Sequence, residues 1–171
     1  MRILILNGSP FASEGVAAMA DAFTKGAKSA GHEVVELPVG TMNIKGCVAC
    51  EYCHTKGEGQ CVQKDDMDKV YPELREADMI VFLCPIHHFG LSPELQATIA
   101  RIYALIKPNA TKYGMLLLTA FPGSSVGIEI QYKKLVEYFG GESLGFRDLV
   151  GEEVGSEAAL AKLEAFGASV K

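Results

Sequence analysis

A chain of 171 residues, 49% hydrophobic and 22% charged, is expected to form one domain over residues 1–171 with a sizeable core. Its net charge of −5 and its sixteen scattered Lys and Arg residues exclude a nucleic-acid-binding role built on a basic patch. The longest apolar runs, MIVFLCPI and MLLLTAF, fall well short of the roughly 18–20 residues that a membrane span needs.

The N-terminal MRILILNGSP has an apolar run too short for a signal peptide, and it gives way to a turn without a small-residue cleavage site. Arg2–Asn7 therefore reads as a buried strand of a cytoplasmic protein. Val16–Ala30 is Ala-rich, carries Met19, Phe23 and Ala27 at helical spacing, and meets a stop at Gly31. Glu33–Leu37 is a second strand, closed by Pro38. A cysteine-rich loop occupies about residues 45–64, and KDDMDKVYPELREA then opens a helix with acids in its first turn. Asp78–Cys84 is a third strand, Ser92–Ile106 a helix, Tyr113–Thr119 a fourth strand, Gly127–Phe139 a helix, Ser143–Val150 a fifth strand and Ser156–Ser169 a last helix.

Five strands alternating with helices imply an α/β fold, a parallel sheet covered on both faces. Ligands of such sheets bind beyond the carboxyl ends of the strands. The informative segments are thus NGSPFASEG, PIHHFGLS and AFPGSS, which follow strands one, three and four.

NGSP joins a buried strand to a helix, and backbone N–H groups at such a turn suit a phosphate; a βα turn without a ligand is the plainer alternative. The segment is neither GxGxxG nor GxxxxGK[ST], and the lack of a Lys fits a monophosphate better than a triphosphate. PIHHFG places His87, His88 and Phe89 where they could line a flat aromatic ligand, and adjacent histidines seldom point at one metal ion. Asp65 and Asp66 most simply cap a helix, and Cys84 reads as a small buried hydrophobe. No nucleophile elbow is present.

Cys47, Cys50, Cys53 and Cys61 follow a C-x2-C-x2-C-x7-C spacing, four of the five cysteines within one short segment. The compact thiolate set suits a [4Fe–4S] cluster. Zinc held by four Cys, or by three Cys and His54, and a loop of reduced thiols remain open, with a disulfide clasp less favoured in a reducing compartment.

Four features in order give the chain its resemblance to a family: ILILNGSP, the cysteine spacing followed by KDDM, CPIHHFGLSPELQATIAR where relatives read like SPVYFGSMSAQLKAFIDR, and a glycine-containing loop after the fourth strand. Over essentially its full length the chain resembles the NADPH-dependent FMN reductase family of the flavodoxin-like superfamily, particularly its iron–sulfur flavoprotein branch. The resemblance implies a flavodoxin-like three-layer sandwich with strand order 2-1-3-4-5. It implies an FMN-dependent NAD(P)H oxidoreductase or flavoprotein electron carrier, working with a small-molecule or protein electron donor or acceptor. Homodimers or homotetramers are implied too, with no protein acid or base in the chemistry.

Carried onto this chain, the resemblance assigns the flavin phosphate to Ser9, Pro10, Phe11, Ser13, Gly15 and Val16. It assigns the flavin ring and ribityl chain to Pro85, Ile86, His87, His88 and Phe89, and the far wall to Thr119, Ala120, Phe121, Gly123 and Ser124. The four loop cysteines would be cluster ligands. Two departures are visible. Relatives read GSPRKNGNT where this chain has Phe11 at the basic position, Gly15 and Val16 at the polar ones, and Glu14 nearby, which implies weaker phosphate binding. The pair His87–His88 replaces the usual aromatic pair and brings titratable groups toward the flavin. The first departure carries the alternative reading, a flavodoxin-fold binding or assembly module with weak or lost flavin binding.

Overall fold

The computed structural model describes all 171 residues. Its sheet is built from β1 (Arg2–Asn7), β2 (Glu33–Leu37), β3 (Met79–His87), β5 (Lys112–Thr119) and β6 (Glu142–Val150), paired in parallel in the order β2-β1-β3-β5-β6. Counted without the short β4 (Gly90–Leu91), this is the 2-1-3-4-5 order expected. β4 is a sixth strand that the residue pattern did not announce; it folds back antiparallel on the end of β3, pairing Ile86 with Leu91 and His87 with Gly90.

Six α-helices cover the sheet: α1 (Glu14–Ser29), α2 (Tyr52–Thr55), α3 (Met67–Glu76), α4 (Pro93–Arg101), α5 (Val126–Phe139) and α6 (Glu157–Ser169). Alternate residues of the central strands feed two cores. Ile3, Ile5, Val81, Leu83 and Leu116 pack under α1 and α6, while Leu4, Leu6, Ile80, Phe82, Met115 and Leu117 pack under α3, α4 and α5. Both faces of the sheet are thus buried, which is why the strands read as unbroken apolar runs.

α1 and α6 meet backbone to backbone. A Cβ placed on Gly26 would sit 1.8 Å from the Glu164 carbonyl oxygen, and one on Gly167 would sit 2.2 Å from that of Phe23. No helix is long and apolar enough to cross a membrane.

Element ends differ from expectation for local reasons. α3 starts at Met67 rather than Lys64, because Asp65 and Asp66 turn back to accept the backbone N–H groups of Lys45 and Asn43. The helix expected to reach Ile106 closes at Arg101 into a 3-10 turn over Ile102–Leu105, and Ile106 ends that turn at φ 66°. The cysteine-rich loop contains the short helix α2.

Candidate functional site

The three expected ligand-facing segments lie together at the carboxyl edge of the sheet. After β1 the chain makes a tight turn that leaves no room for a side chain at Gly8, where a Cβ would fall 2.5 Å from Leu95 Cβ and 2.7 Å from Ser92 Oγ. Asn7 accepts the Ser9 N–H at 3.0 Å and donates to Glu36 at 2.7 Å, so the turn is tied to β2 as well.

Ser9 is buried, and its hydroxyl donates to the Phe11 carbonyl at 2.8 Å. Ser13 caps α1, its oxygen accepting the Val16 N–H at 3.4 Å. Val16 itself lies in the core beside Met19, turned away from the loop, so the loop's side-chain lining stops short of it. Between these fixed points, the backbone N–H groups of Phe11, Ala12, Ser13, Glu14 and Gly15 have no acceptor within the protein. Five consecutive unpaired donors at the opening of a sixteen-residue helix form an anion-seeking surface. The donors are main-chain, so the missing polar side chains at Gly15 and Val16 do not remove them.

β3 runs past Cys84 through Pro85 and Ile86 to His87, and a two-residue hairpin of His88 and Phe89 returns the chain to β4. Both hairpin residues have positive φ, 47° and 63°. Two such residues make a type I′ geometry that normally selects Asn or Gly, so a bulky Phe there holds strain of about 1–3 kcal/mol. The Phe89 ring, 64% exposed, meets the 50%-exposed Phe121 ring edge to face with centroids 5.7 Å apart. That contact bridges the loops after β3 and β5.

In the loop after β5, the buried Thr119 and Ser124 hydroxyls hydrogen-bond each other, and the Phe121 carbonyl lies within hydrogen-bond reach of both. These hydroxyls shape the loop and place Ala120, Phe121 and Gly123 at the surface. Gly15 reaches the same corner: its Cβ would stand 3.1 Å from Leu118.

A second cluster lies at the cysteine loop. Cys47 and Cys50 are exposed, Cys61 is half-buried and Cys53 is 8% exposed, packed against the core. Burial pushes the Cys53 thiol up. All five cysteines are free, and no three His, Cys, Asp or Glu side chains converge on a metal position. The donor chemistry suits a cluster, but this arrangement of two outward and two inward thiols does not. Cys84 lies in the core, its thiol pushed up to about 11 by burial.

Sequence reasoning missed the roles of Ser92 and Arg101 and saw in Asp65 only a helix cap. Ser92 is fully buried and donates to the Gly8 carbonyl at 2.6 Å while capping α4 at Leu95. Arg101 and Asp65 form a buried ion pair at 2.7 Å, with side chains 1% and 2% exposed. Burial alone would raise the Asp65 carboxyl; the hydrogen bonds from Arg101 and from the Lys45 and Met67 N–H groups outweigh it and hold it below its ordinary value. The available signal was weak: an arginine one residue from Ile102, on the helix whose apolar face was already evident.

The profile of the NADPH-dependent FMN reductase family matches residues 1–147. The chain belongs to that family. An iron–sulfur flavoprotein of Archaeoglobus fulgidus is 27% identical over 164 residues, covering 92% of this chain and 73% of that one. Another, from Methanocaldococcus jannaschii, is 34% identical over 82 residues, 48% of this chain and 41% of its own length. Among solved structures, the NAD(P)H:quinone oxidoreductase of Methanothermobacter marburgensis superposes with a TM-score of 0.77 at 16% identity, covering 100% of this chain and 99% of that one. The fold is flavodoxin-like, and the chain is an oxidoreductase of the FMN reductase family.

Proposed function

We propose that the chain is an FMN-dependent NAD(P)H oxidoreductase with its flavin along the carboxyl edge of the sheet. The observation that supports this reading is the run of backbone N–H groups from Phe11 to Gly15 without a protein acceptor, in the turn to which the family resemblance assigns the flavin phosphate. When bound there, FMN supplies hydride acceptance from a nicotinamide and delivery to an acceptor. The residues present fit that group.

The main-chain donors after Pro10 hold the phosphate, and the α1 N-terminus favours its charge. Pro85, Ile86, His87 and the strained His88–Phe89 hairpin would line the ring. Ala120, Phe121 and Gly123 would line the same edge from a loop tied by Thr119 and Ser124, with Phe121 already in contact with Phe89. Phe89 and Phe121 would shield the ring from water and limit its orientation. No acid or base of the protein is required. The acceptor is a small molecule or a redox protein. The apolar residues that α5 leaves exposed, Val126, Ile130 and Tyr138, support self-association.

Titration with FMN and with riboflavin, followed by flavin fluorescence, tests this reading. Wild type quenches FMN. Ala12→Asp weakens FMN binding by about tenfold or more through charge repulsion, and leaves riboflavin unchanged. FMN that stays fully fluorescent with wild type would sink the reading and favour the binding-module alternative.

A second reading gives Cys47, Cys50, Cys53 and Cys61 a [4Fe–4S] cluster beside the flavin, supported by their spacing and by the relatives' iron–sulfur character. The thiols as arranged do not converge, so no step is assigned to such a cluster. Iron and sulfide content of protein purified without oxygen decides it: absence of both leaves a thiol loop or zinc.

A further inference from the structure

The cysteine loop begins and ends at the same buried side chain. The Arg101 guanidinium donates to the Lys45 carbonyl at 2.9 Å on the incoming strand of the loop and to the Gln63 carbonyl at 3.5 Å on the outgoing one. Its two terminal nitrogens also grip both oxygens of Asp65, at 2.7 and 3.3 Å. Asp65 in turn accepts the Lys45 N–H at 3.1 Å, so the carboxylate and the guanidinium clamp the same residue from two sides. Tyr71 donates to the Arg101 carbonyl at 3.1 Å and pins the helix end that bears the fork. The planar fork of a guanidinium meets this four-bond pattern from two nitrogens, which the single nitrogen of a Lys ammonium cannot reproduce.

The loop needs such an anchor. Ala49, Glu51 and Glu58 all have positive φ without being glycine, a cost that persists only where surrounding contacts enforce it. Beyond Arg101 and Asp65, the neck is tied by Asn43 and Asp66, whose N–H donates to the Asn43 carbonyl at 3.1 Å and whose carboxylate accepts the Asn43 N–H at 2.8 Å. Cys53 and Cys61 pack against the core, while the bonds from His54 to the Tyr103 carbonyl and from the Tyr103 hydroxyl to Glu51 are exposed to solvent.

The helix that carries Arg101 has a second fixed end. Ser92, at its N-cap, donates to Gly8 in the turn after β1, so α4 spans from the candidate phosphate loop to the neck of the cysteine loop. A helix of nine residues rises about 13 Å, a rigid spacer at this length.

We propose that Arg101 is the positioning residue of the cysteine loop: with Asp65 it latches the loop's neck, and through α4 it fixes the loop relative to the turn after β1. The latch acts on the loop itself, whatever group the thiols carry.

Native-state thiol labelling of the reduced, chelator-treated full-length chain tests it, with each site quantified by peptide mass. In wild type Cys47 and Cys50 react fast, Cys61 more slowly, Cys53 slowest of the loop, and the core residue Cys84 not at all. In Arg101→Met, Cys53 and Cys61 accelerate by about tenfold or more as the loop opens locally, and Cys84 stays silent. Arg101→Lys restores protection only in part, since one ammonium cannot span the neck. Wild-type rates at Cys53 and Cys61 in Arg101→Met, with Cys84 still silent, would overturn the latch. If Arg101→Met also exposes Cys84, Asp65→Asn decides: selective acceleration of Cys53 and Cys61 supports the latch, and equal exposure of all five thiols overturns it.

Discussion

The Ser92 hydroxyl donates to the Gly8 carbonyl at 2.6 Å, joining the start of α4 to the turn that opens the candidate phosphate loop. Both atoms are in the interior, and the same oxygen caps α4 by accepting the Leu95 N–H. Ser92→Ala removes the cap and leaves a buried carbonyl unpaired, for an expected loss of about 2–4 kcal/mol. Urea denaturation measures it. FMN affinity should fall as well, because the turn loses its reference point.

Phe89 holds a left-handed backbone while its ring bridges to Phe121. Phe89→Gly relieves the strain and is expected to leave stability unchanged or raise it by up to about 1 kcal/mol, against the lost ring contact of about 0.5–1.5 kcal/mol. Flavin affinity should fall in the same variant. Thermal melting and flavin titration, run together, check the opposition; loss of both would place Phe89 in the fold alone.

Asp65 has a folded-state pKa below its unfolded value, held there by Arg101 and two backbone N–H groups against the pull of burial. Its contribution is therefore fully present above the unfolded carboxylate value, about 3.9, and is lost as pH falls through the lower folded value. Stability measured by urea titration between neutral pH and about pH 3 should fall more steeply for wild type than for Asp65→Asn. Equal slopes would show that the pair adds nothing to acid sensitivity.

Glycines offer a contrast that separates close packing from conformation. Gly26→Ala and Gly167→Ala push side chains into the facing helix backbone and should each cost about 1–3 kcal/mol or more. Gly127, near the start of α5, has open space around its would-be Cβ, so Gly127→Ala should stabilise by up to about 1 kcal/mol through helix propensity. Melting temperatures should fall for the first two variants and rise for the third.

The parallel sheet and the two-sided core were legible because β1, β3 and β5 are buried on both faces, and a short apolar run bounded by turns suits a strand lying between two layers of helices. The strand order came only with the family resemblance. Glu33–Leu37 matched to the residue, fixed by Gly31 before it and Pro38 after it. Hairpin β3–β4 escaped notice because His88 and Phe89 are not the residues that a two-residue turn normally selects. The Arg101–Asp65 pair escaped for a different reason. Each residue type belongs on the surface by default, and only the folded chain brings the end of α4 to the base of the cysteine loop. The resemblance assigns Ser9 to the phosphate; its hydroxyl is turned to the Phe11 carbonyl, and the donors without a protein acceptor beside it are main-chain groups that no residue letter reveals.

The family match stops at residue 147, yet α6 spans Glu157–Ser169 and supplies Ala159, Leu163 and Phe166 to the core beneath α1. The span of the family match is therefore shorter than the unit that must fold together. Cutting after Val150 would spare every residue of both candidate sites and uncover Phe23 and Ala27 on the very helix that opens with the unpaired N–H groups. The C-terminal helix is a buttress for α1, and changes there would be felt at the opposite end of that helix without touching a single ligand-facing residue.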